Sequence, residues 1–172
     1  TLAIEKTVPI NNGIVYFNLN EDNTRLNLVR RVSNNSFQLA TMDLPSFTIK
    51  DEELFNIPSG ATIEGVAGKL ILFKRLNDVY LRNLITGSDT FIRQTTLAAV
   101  KVFQGNSRFV VSSYPDTFYI YSFTATPQLI ASTAVPHLSP LIELHTSTGN
   151  IVALHGRLFD SSFNFIRSLP EG

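Results

Sequence analysis

Leu26-Asn-Leu-Val-Arg-Arg31, Leu70-Ile-Leu-Phe-Lys-Arg75, Phe109-Val-Val-Ser-Ser-Tyr114 and Val152-Ala-Leu-His-Gly-Arg157 are four apolar runs that recur about 42 residues apart along a 172-residue chain. Self-similarity at a fixed period of this length is the mark of an architecture that repeats one supersecondary unit. Each run therefore marks one cycle. Working outward, each is followed by a second strand-like stretch: Ser36–Leu44, Val79–Ile85, Thr117–Phe123 and Ser162–Leu169. The joins are Ser33–Asn35, Leu76–Asp78, Pro115–Asp116 and Phe159–Ser161, made of residues that favour turns. A further apolar stretch precedes each hairpin: Gly13–Leu19, Thr62–Ala67, Ala99–Gln104 and Leu138–Thr146. A fourth follows three of them: Glu52–Ile57, Thr90–Leu97 and Gln128–Val135.

Short runs rich in Val, Ile, Phe, Tyr and Thr between Gly, Pro, Asn and Asp turns, with little helical periodicity, read as an all-β chain. Four antiparallel strands per cycle make a β-propeller blade, so the expected architecture is a β-propeller of about four blades in a single domain, residues 1–172. The fourth cycle reaches Gly172 with no outermost strand of its own, and Thr1–Ile10 is a strand-like run without a cycle. Pairing the two would close the ring and hide sheet edges that otherwise template aggregation. The alternatives are four blades of a larger propeller and a β-sandwich of similar strand count.

Fourteen basic and fourteen acidic side chains leave a net charge of zero, so no global field attracts nucleic acid or an anionic membrane. The absence of cysteine removes thiol catalysis, disulfides and thiolate metal sites and leaves the compartment open. The longest apolar runs, such as Ile14–Phe17, are far short of the ~20 residues a membrane-spanning helix needs, so no membrane insertion is expected. A sequon, Asn34-Asn35-Ser36, lies on the first hairpin turn and is usable only in a secreted protein.

The segments Gly68–Gly87 and Asn106–Phe123 resemble the inner hairpin of WD-repeat and related propellers. Asp78 and Asp116 stand at the turn position where such repeats often carry aspartate, and Asn83-Leu84 and Ser122-Phe123 stand where the Trp-Asp pair is found. The chain has no Trp and no Gly-His element, so the resemblance is to a divergent, WD-repeat-like propeller. It implies a rigid scaffold whose loops bind other proteins.

Equivalent positions in different blades emerge on one face. By this register the strong strands end in Arg30-Arg31, Lys74-Arg75, Ser113-Tyr114 and His155 with Arg157, and alternation lets only one of each adjacent pair face the same way. Arg31, Arg75, Tyr114 and Arg157 are the expected binding residues. Guanidinium forks suit an acidic peptide, a carboxylate or a phosphate. The plainer interpretation is of solubilising charges paired with neighbours such as Asp78.

No catalytic constellation is expected, and the protein is read as a non-enzymatic interaction module. The three histidines, His137, His145 and His155, show no metal-ligand spacing, so neither metal nor cofactor is expected. Ser113, Asp116 and His155 lack the nucleophile elbow and oxyanion glycines of a hydrolase. Asp51-Glu52-Glu53 reads as a solvated turn, and Gly60, Gly65 and Gly68 read as turn residues, too widely spaced for a phosphate loop. The thirteen Phe and five Tyr follow the strands, which makes them packing residues and not a nucleic-acid stacking platform. The expected partner is a protein or acidic peptide, with strand exchange into a partner propeller as a further route. Small-ligand or glycan binding and a propeller hydrolase are the alternatives.

Overall fold

The computed structural model describes residues 13–20, 22–96, 99–103, 105, 107–113, 117–134, 142–145, 150–153, 157–160 and 164–168. No helix occurs among them. The strands form four four-stranded antiparallel sheets, each taken from consecutive chain. The first contains β1 (Ile14–Leu19), β2 (Arg25–Arg31), β3 (Ser36–Asp43) and β4 (Thr48–Asn56). The second contains β5 (Ala61–Ala67), β6 (Leu70–Arg75), β7 (Asp78–Asn83) and β8 (Ser88–Gln94). The third contains β9 (Val100–Val102), β10 (Arg108–Ser113), β11 (Thr117–Ser122) and β12 (Leu129–Ala134). The fourth contains β13 (Ile142–His145), β14 (Asn150–Ala153), β15 (Arg157–Phe159) and β16 (Phe165–Ser168). Within every sheet the spatial order is the chain order, and β1 lies against β5, β5 against β9 and β9 against β13. The first strands therefore stand side by side along an axis, with each sheet radiating outward. No comparable contact joins β13 back to β1 among the described strands.

The apolar runs form these seams because alternation sends successive side chains to opposite faces, and both faces of an inner sheet are covered. Val29, Phe37, Leu39, Phe55 and Ile57 of the first sheet meet Val66, Ile71 and Phe73 of the second. The other face of the second sheet, Leu72, Val79 and Leu81, meets Val100, Phe109, Val111, Tyr121 and Phe123 of the third. An aromatic cross-strand pair recurs: Phe37 opposite Phe55, Phe73 opposite Tyr80 and Phe109 opposite Tyr121, with ring centroids 5.8, 5.3 and 5.4 Å apart. Each such pair contributes about 0.5–1.5 kcal/mol beyond its area burial.

Three expectations need correction. The fourth cycle is complete: the run Val152–Arg157 is not one strand but bridges β14 and β15, and Phe165–Ser168 is the outermost strand that seemed to be missing. Thr1–Ile10 lies outside the described residues, and the vacancy it was expected to fill does not exist. Second, Asp51-Glu52-Glu53 is not a turn but part of β4, at a bulge where the register with β3 shifts between Leu39 and Thr41. Third, Gly60 and Gly68 are indeed turn residues with φ of 77° and 56°, but Gly65 lies inside β5. A Cβ there would collide with Val102 of the third sheet, so glycine lets the two inner strands approach.

Candidate functional site

The turns joining β2 to β3, β6 to β7, β10 to β11 and β14 to β15 lie at one end of the sheets, here the upper end. Arg31 closes β2, Arg75 closes β6 and Arg157 opens β15, so all three sit at this end; Tyr114 follows β10 and lies outside the described residues. Arg31 is exposed, and its guanidinium carbon stands 5.6 Å from the centroid of Phe37, a residue of the seam between the first two sheets. Arg75 is also exposed, and alternation along β6 puts it on the face of Ile71 and Phe73, which belong to the same seam. The structure thus puts Arg31 and Arg75 on the rim of one seam. Among the described residues neither forms an ion pair; the pairs found are Glu52 with Arg30, Glu53 with Lys69 and Asp89 with Arg82.

Arg30 points the other way, as alternation requires. It is 7% exposed, and its Nη2 donates to Gln38 Oε1 at 2.6 Å and Glu52 Oε1 at 2.5 Å, while its Nε is buried without a partner. Asp78 does not neutralise Arg75, although the two are cross-strand neighbours. Its Oδ2 accepts a 3.2 Å hydrogen bond from the Tyr80 hydroxyl, and its Oδ1 is buried with no partner. Desolvation and then the Asp78 charge hold the Tyr80 hydroxyl above its ordinary pKa.

Leu76, between Arg75 and Asp78, was missed by sequence reading. Its φ is 54° and it is 86% exposed at the tip of a two-residue hairpin loop. Left-handed backbone at a bulky residue costs about 1–2 kcal/mol, so an apolar side chain is held out into solvent against local preference. Beside it, a cavity of about 250 Å³ is lined by Asn77, Gln94, Thr95, Thr96 and Ser113, all uncharged and polar. Thr95 is buried, and both its N–H and its hydroxyl donate to the Asn77 carbonyl, at 2.8 and 3.1 Å. Three segments far apart in sequence build this cavity, so no local pattern announced it.

At the lower end a polar residue follows or closes the third strand of every sheet and caps the next turn. Asp43 accepts from the Ser46 N–H at 3.2 Å, Asn83 from Ile85 at 2.9 Å, Ser122 from Gln128 at 2.9 Å and Asp160 from Asn164 at 2.9 Å. Hydrogen bonds from Ser46, hydroxyl then backbone, hold the Asp43 carboxyl below its usual range. These positions include Asn83 and Ser122, where WD repeats carry the Trp-Asp pair. The residues after them, Leu84 and Phe123, pack into the seams. The signal was present in the sequence as an Asp/Asn/Ser at the end of each third strand.

Among the described residues no group of three His, Cys, Asp or Glu side chains is arranged to hold a metal ion. Asp116, His137 and His155 lie outside the described residues, and with them the imagined triad. Nor is any helix of the described structure long and apolar enough to cross a membrane.

No protein-family model matches the sequence, and no curated protein matches it. Solved structures do match. The β-propeller domain of Cps50 (Swd1) from Myceliophteria thermophila aligns over 98% of this chain and 59% of its own, at 15% identity and a TM-score of 0.52. The fold is a β-propeller. Two structures of Hsv2 agree: KlHsv2 with loop 6CD replaced by a Gly-Ser linker, with a TM-score of 0.56 at 17% identity, and Hsv2 of Kluyveromyces marxianus, with 0.54 at 17%. They align over 89% and 88% of this chain but only 50% and 49% of theirs. This propeller chain spans about half the length of those matches, and its sheets are blades. At these identities the likeness establishes the fold, on which function varies widely.

Proposed function

We propose that this propeller is a non-enzymatic interaction module that binds a protein, through an acidic segment, at its upper face. The carrying observation is that Arg31 and Arg75 share the rim of one seam, exposed and without an acidic partner among the described residues. Arg157 opens β15 at the same end, and Tyr114 belongs to the equivalent turn of the third blade in the sequence repeat. Guanidinium groups offer planar donor forks to carboxylates, and their attraction across an interface speeds encounter and sets register. Leu76 adds an apolar contact beside the charges, and the neutral cavity next to it suits an amide or hydroxyl side chain of the same segment. Strand insertion from a partner is not part of this reading, because the fourth blade already has its four strands.

The test is fluorescence anisotropy of a labelled Asp/Glu-rich peptide titrated with the chain. Arg31→Glu/Arg75→Glu is expected to weaken binding by at least about tenfold, equivalent to about 1.4 kcal/mol, and added salt to weaken the wild type. Arg25→Glu, at the lower end, is expected to leave affinity unchanged. Equal affinity for the upper-face variant and the wild type would sink the proposal.

The neutral cavity supports a second reading, binding of a small uncharged polar ligand such as a sugar. A rise in melting temperature with neutral sugars, lost in Gln94→Ala, would favour it over the peptide reading.

A further inference from the structure

The turns after β2 and β6 share more than their arginines. In each, the arginine that closes the strand is followed by an exposed apolar residue: Arg31 by Val32, 47% exposed, and Arg75 by Leu76, 86% exposed. The Val32 N–H donates to the Ser36 carbonyl at 2.9 Å, so the pairing of β2 with β3 continues one residue past the strand. Alternation then sends Val32 to the other face from Arg31, away from the second blade. Leu76 stands between Arg75, which faces the first blade, and Asn77, which lines the cavity that Ser113 of the third blade completes. From the first blade towards the third, the upper end therefore presents Val32, Arg31, Arg75, Leu76 and the cavity in that order. Two guanidinium groups are flanked on both sides by apolar side chains, with neutral polar groups beyond one of them. Exposure alone does not make such a site, since Ile85 is 80% exposed in the turn after β7. There the neighbouring cation, Arg82, is held by Asp89 at 2.7 Å, whereas neither Arg31 nor Arg75 forms an ion pair among the described residues. Leu76 also keeps its place with a φ of 54°, a backbone that a bulky side chain adopts only at a cost and glycine would adopt freely.

We propose that the segment bound here carries a pair of acidic residues flanked on both sides by apolar residues, with an amide or hydroxyl residue beyond one flank, and that Val32 and Leu76 read the flanks. This rests on the upper face being the site for an acidic segment of a partner protein, and adds to it the order of the side chains that the site selects. The two carboxylates take the planar donor forks of Arg31 and Arg75 and fix the register. The apolar flanks then cover Val32 and Leu76, and affinity rises with the apolar area removed from water. Covering these residues also strips water from beside the guanidinium groups, which strengthens their attraction for the carboxylates. The cavity lies on the Leu76 side, so the amide or hydroxyl residue follows that flank and gives the segment one direction across the blades.

Fluorescence anisotropy tests this with three labelled peptides of equal length and charge: Ser-Leu-Glu-Glu-Leu-Gln-Ser, the same peptide with both Leu replaced by Ser, and the reordered Ser-Glu-Leu-Leu-Glu-Gln-Ser. The full chain should bind the first at least about tenfold more tightly than either of the others, equivalent to about 1.4 kcal/mol. Val32→Ser/Leu76→Ser should remove most of that preference with an unchanged far-UV circular dichroism spectrum, since both replaced residues are exposed. Arg31→Glu/Arg75→Glu should weaken the binding of all three peptides. Equal affinity for the first peptide and either of the others, with both still weakened by the arginine variant, overturns the order proposed here and leaves the acidic-segment reading standing. A preference that survives Val32→Ser/Leu76→Ser puts the apolar contact elsewhere and also overturns it. Binding of none of the three overturns both.

Discussion

Replacing Gly65 by alanine tests the close approach that sets the spacing between the second and third blades. The added Cβ would overlap Val102 Cγ2 and would stand 3.3 Å from Phe123 Cε1 and 3.4 Å from Leu72 Cβ. Leu72 and Phe123 are buried core residues, and Val102, being β-branched, has few alternative rotamers with which to yield. Forcing one methyl group into a packed seam costs about 1–3 kcal/mol. Removing glycine's freedom in the unfolded chain offsets about 0.4–1 kcal/mol, which leaves a net loss of about 1–2 kcal/mol. For a chain of this size that is a fall in melting temperature of roughly 2–8 °C, followed by circular dichroism. Gly13, with nothing within 4 Å of the equivalent position, is the control: Gly13→Ala should be neutral or slightly stabilising. Val102→Ala placed on top of Gly65→Ala should recover part of the loss, with a coupling of about 0.5–3 kcal/mol in the double-mutant cycle. If Gly65→Ala is as stable as Gly13→Ala, the inner strands do not approach as described.

Leu76→Gly should raise stability by about 0.5–1 kcal/mol in urea denaturation, because glycine takes the left-handed backbone without strain and an exposed Leu gives up little packing. The same substitution should weaken peptide binding, which separates the residue's cost to the fold from its use on the upper face. Tyr16 titrates at about 12, pushed up by burial and then by the Glu64 charge. Between its ordinary value near 10 and about 12 the unfolded chain loses the proton first, so stability falls as pH rises through that window, by about 2–3 kcal/mol. Tyr16→Phe should flatten this part of the pH–stability curve; an unchanged slope would mean that Tyr16 is not the group responsible.

The strands that carry both seams were legible because they are short, continuous apolar runs whose two faces are both covered, as in Leu70–Arg75 and Arg108–Ser113. The fourth cycle was misread because the repeat aligns Val152–Arg157 with single strands of the other cycles, whereas here β14 ends at Ala153 and β15 begins at Arg157. Gly65 did carry a usable signal, since an isolated glycine inside a strand pattern points to close backbone approach as readily as to a turn. Arg31 and Arg75 were found from the repeat, but their meeting on one seam depends on which face each strand end presents. Leu76 and the Asn77–Thr96 cavity had no local signature, because the first depends on a backbone angle that leucine rarely adopts and the second on residues brought together by two blades.

The account's central claim is that the end bearing Arg31 and Arg75 is the working face of the propeller. Its most direct test is ¹⁵N chemical-shift mapping of the chain titrated with an acidic peptide. The expected result is that the shifts cluster on the amides of Arg31, Arg75, Leu76, Asn77 and Arg157 and leave the turns capped by Asp43, Asn83, Ser122 and Asp160 unmoved. Shifts confined to those lower turns, or none at saturating peptide, would contradict it.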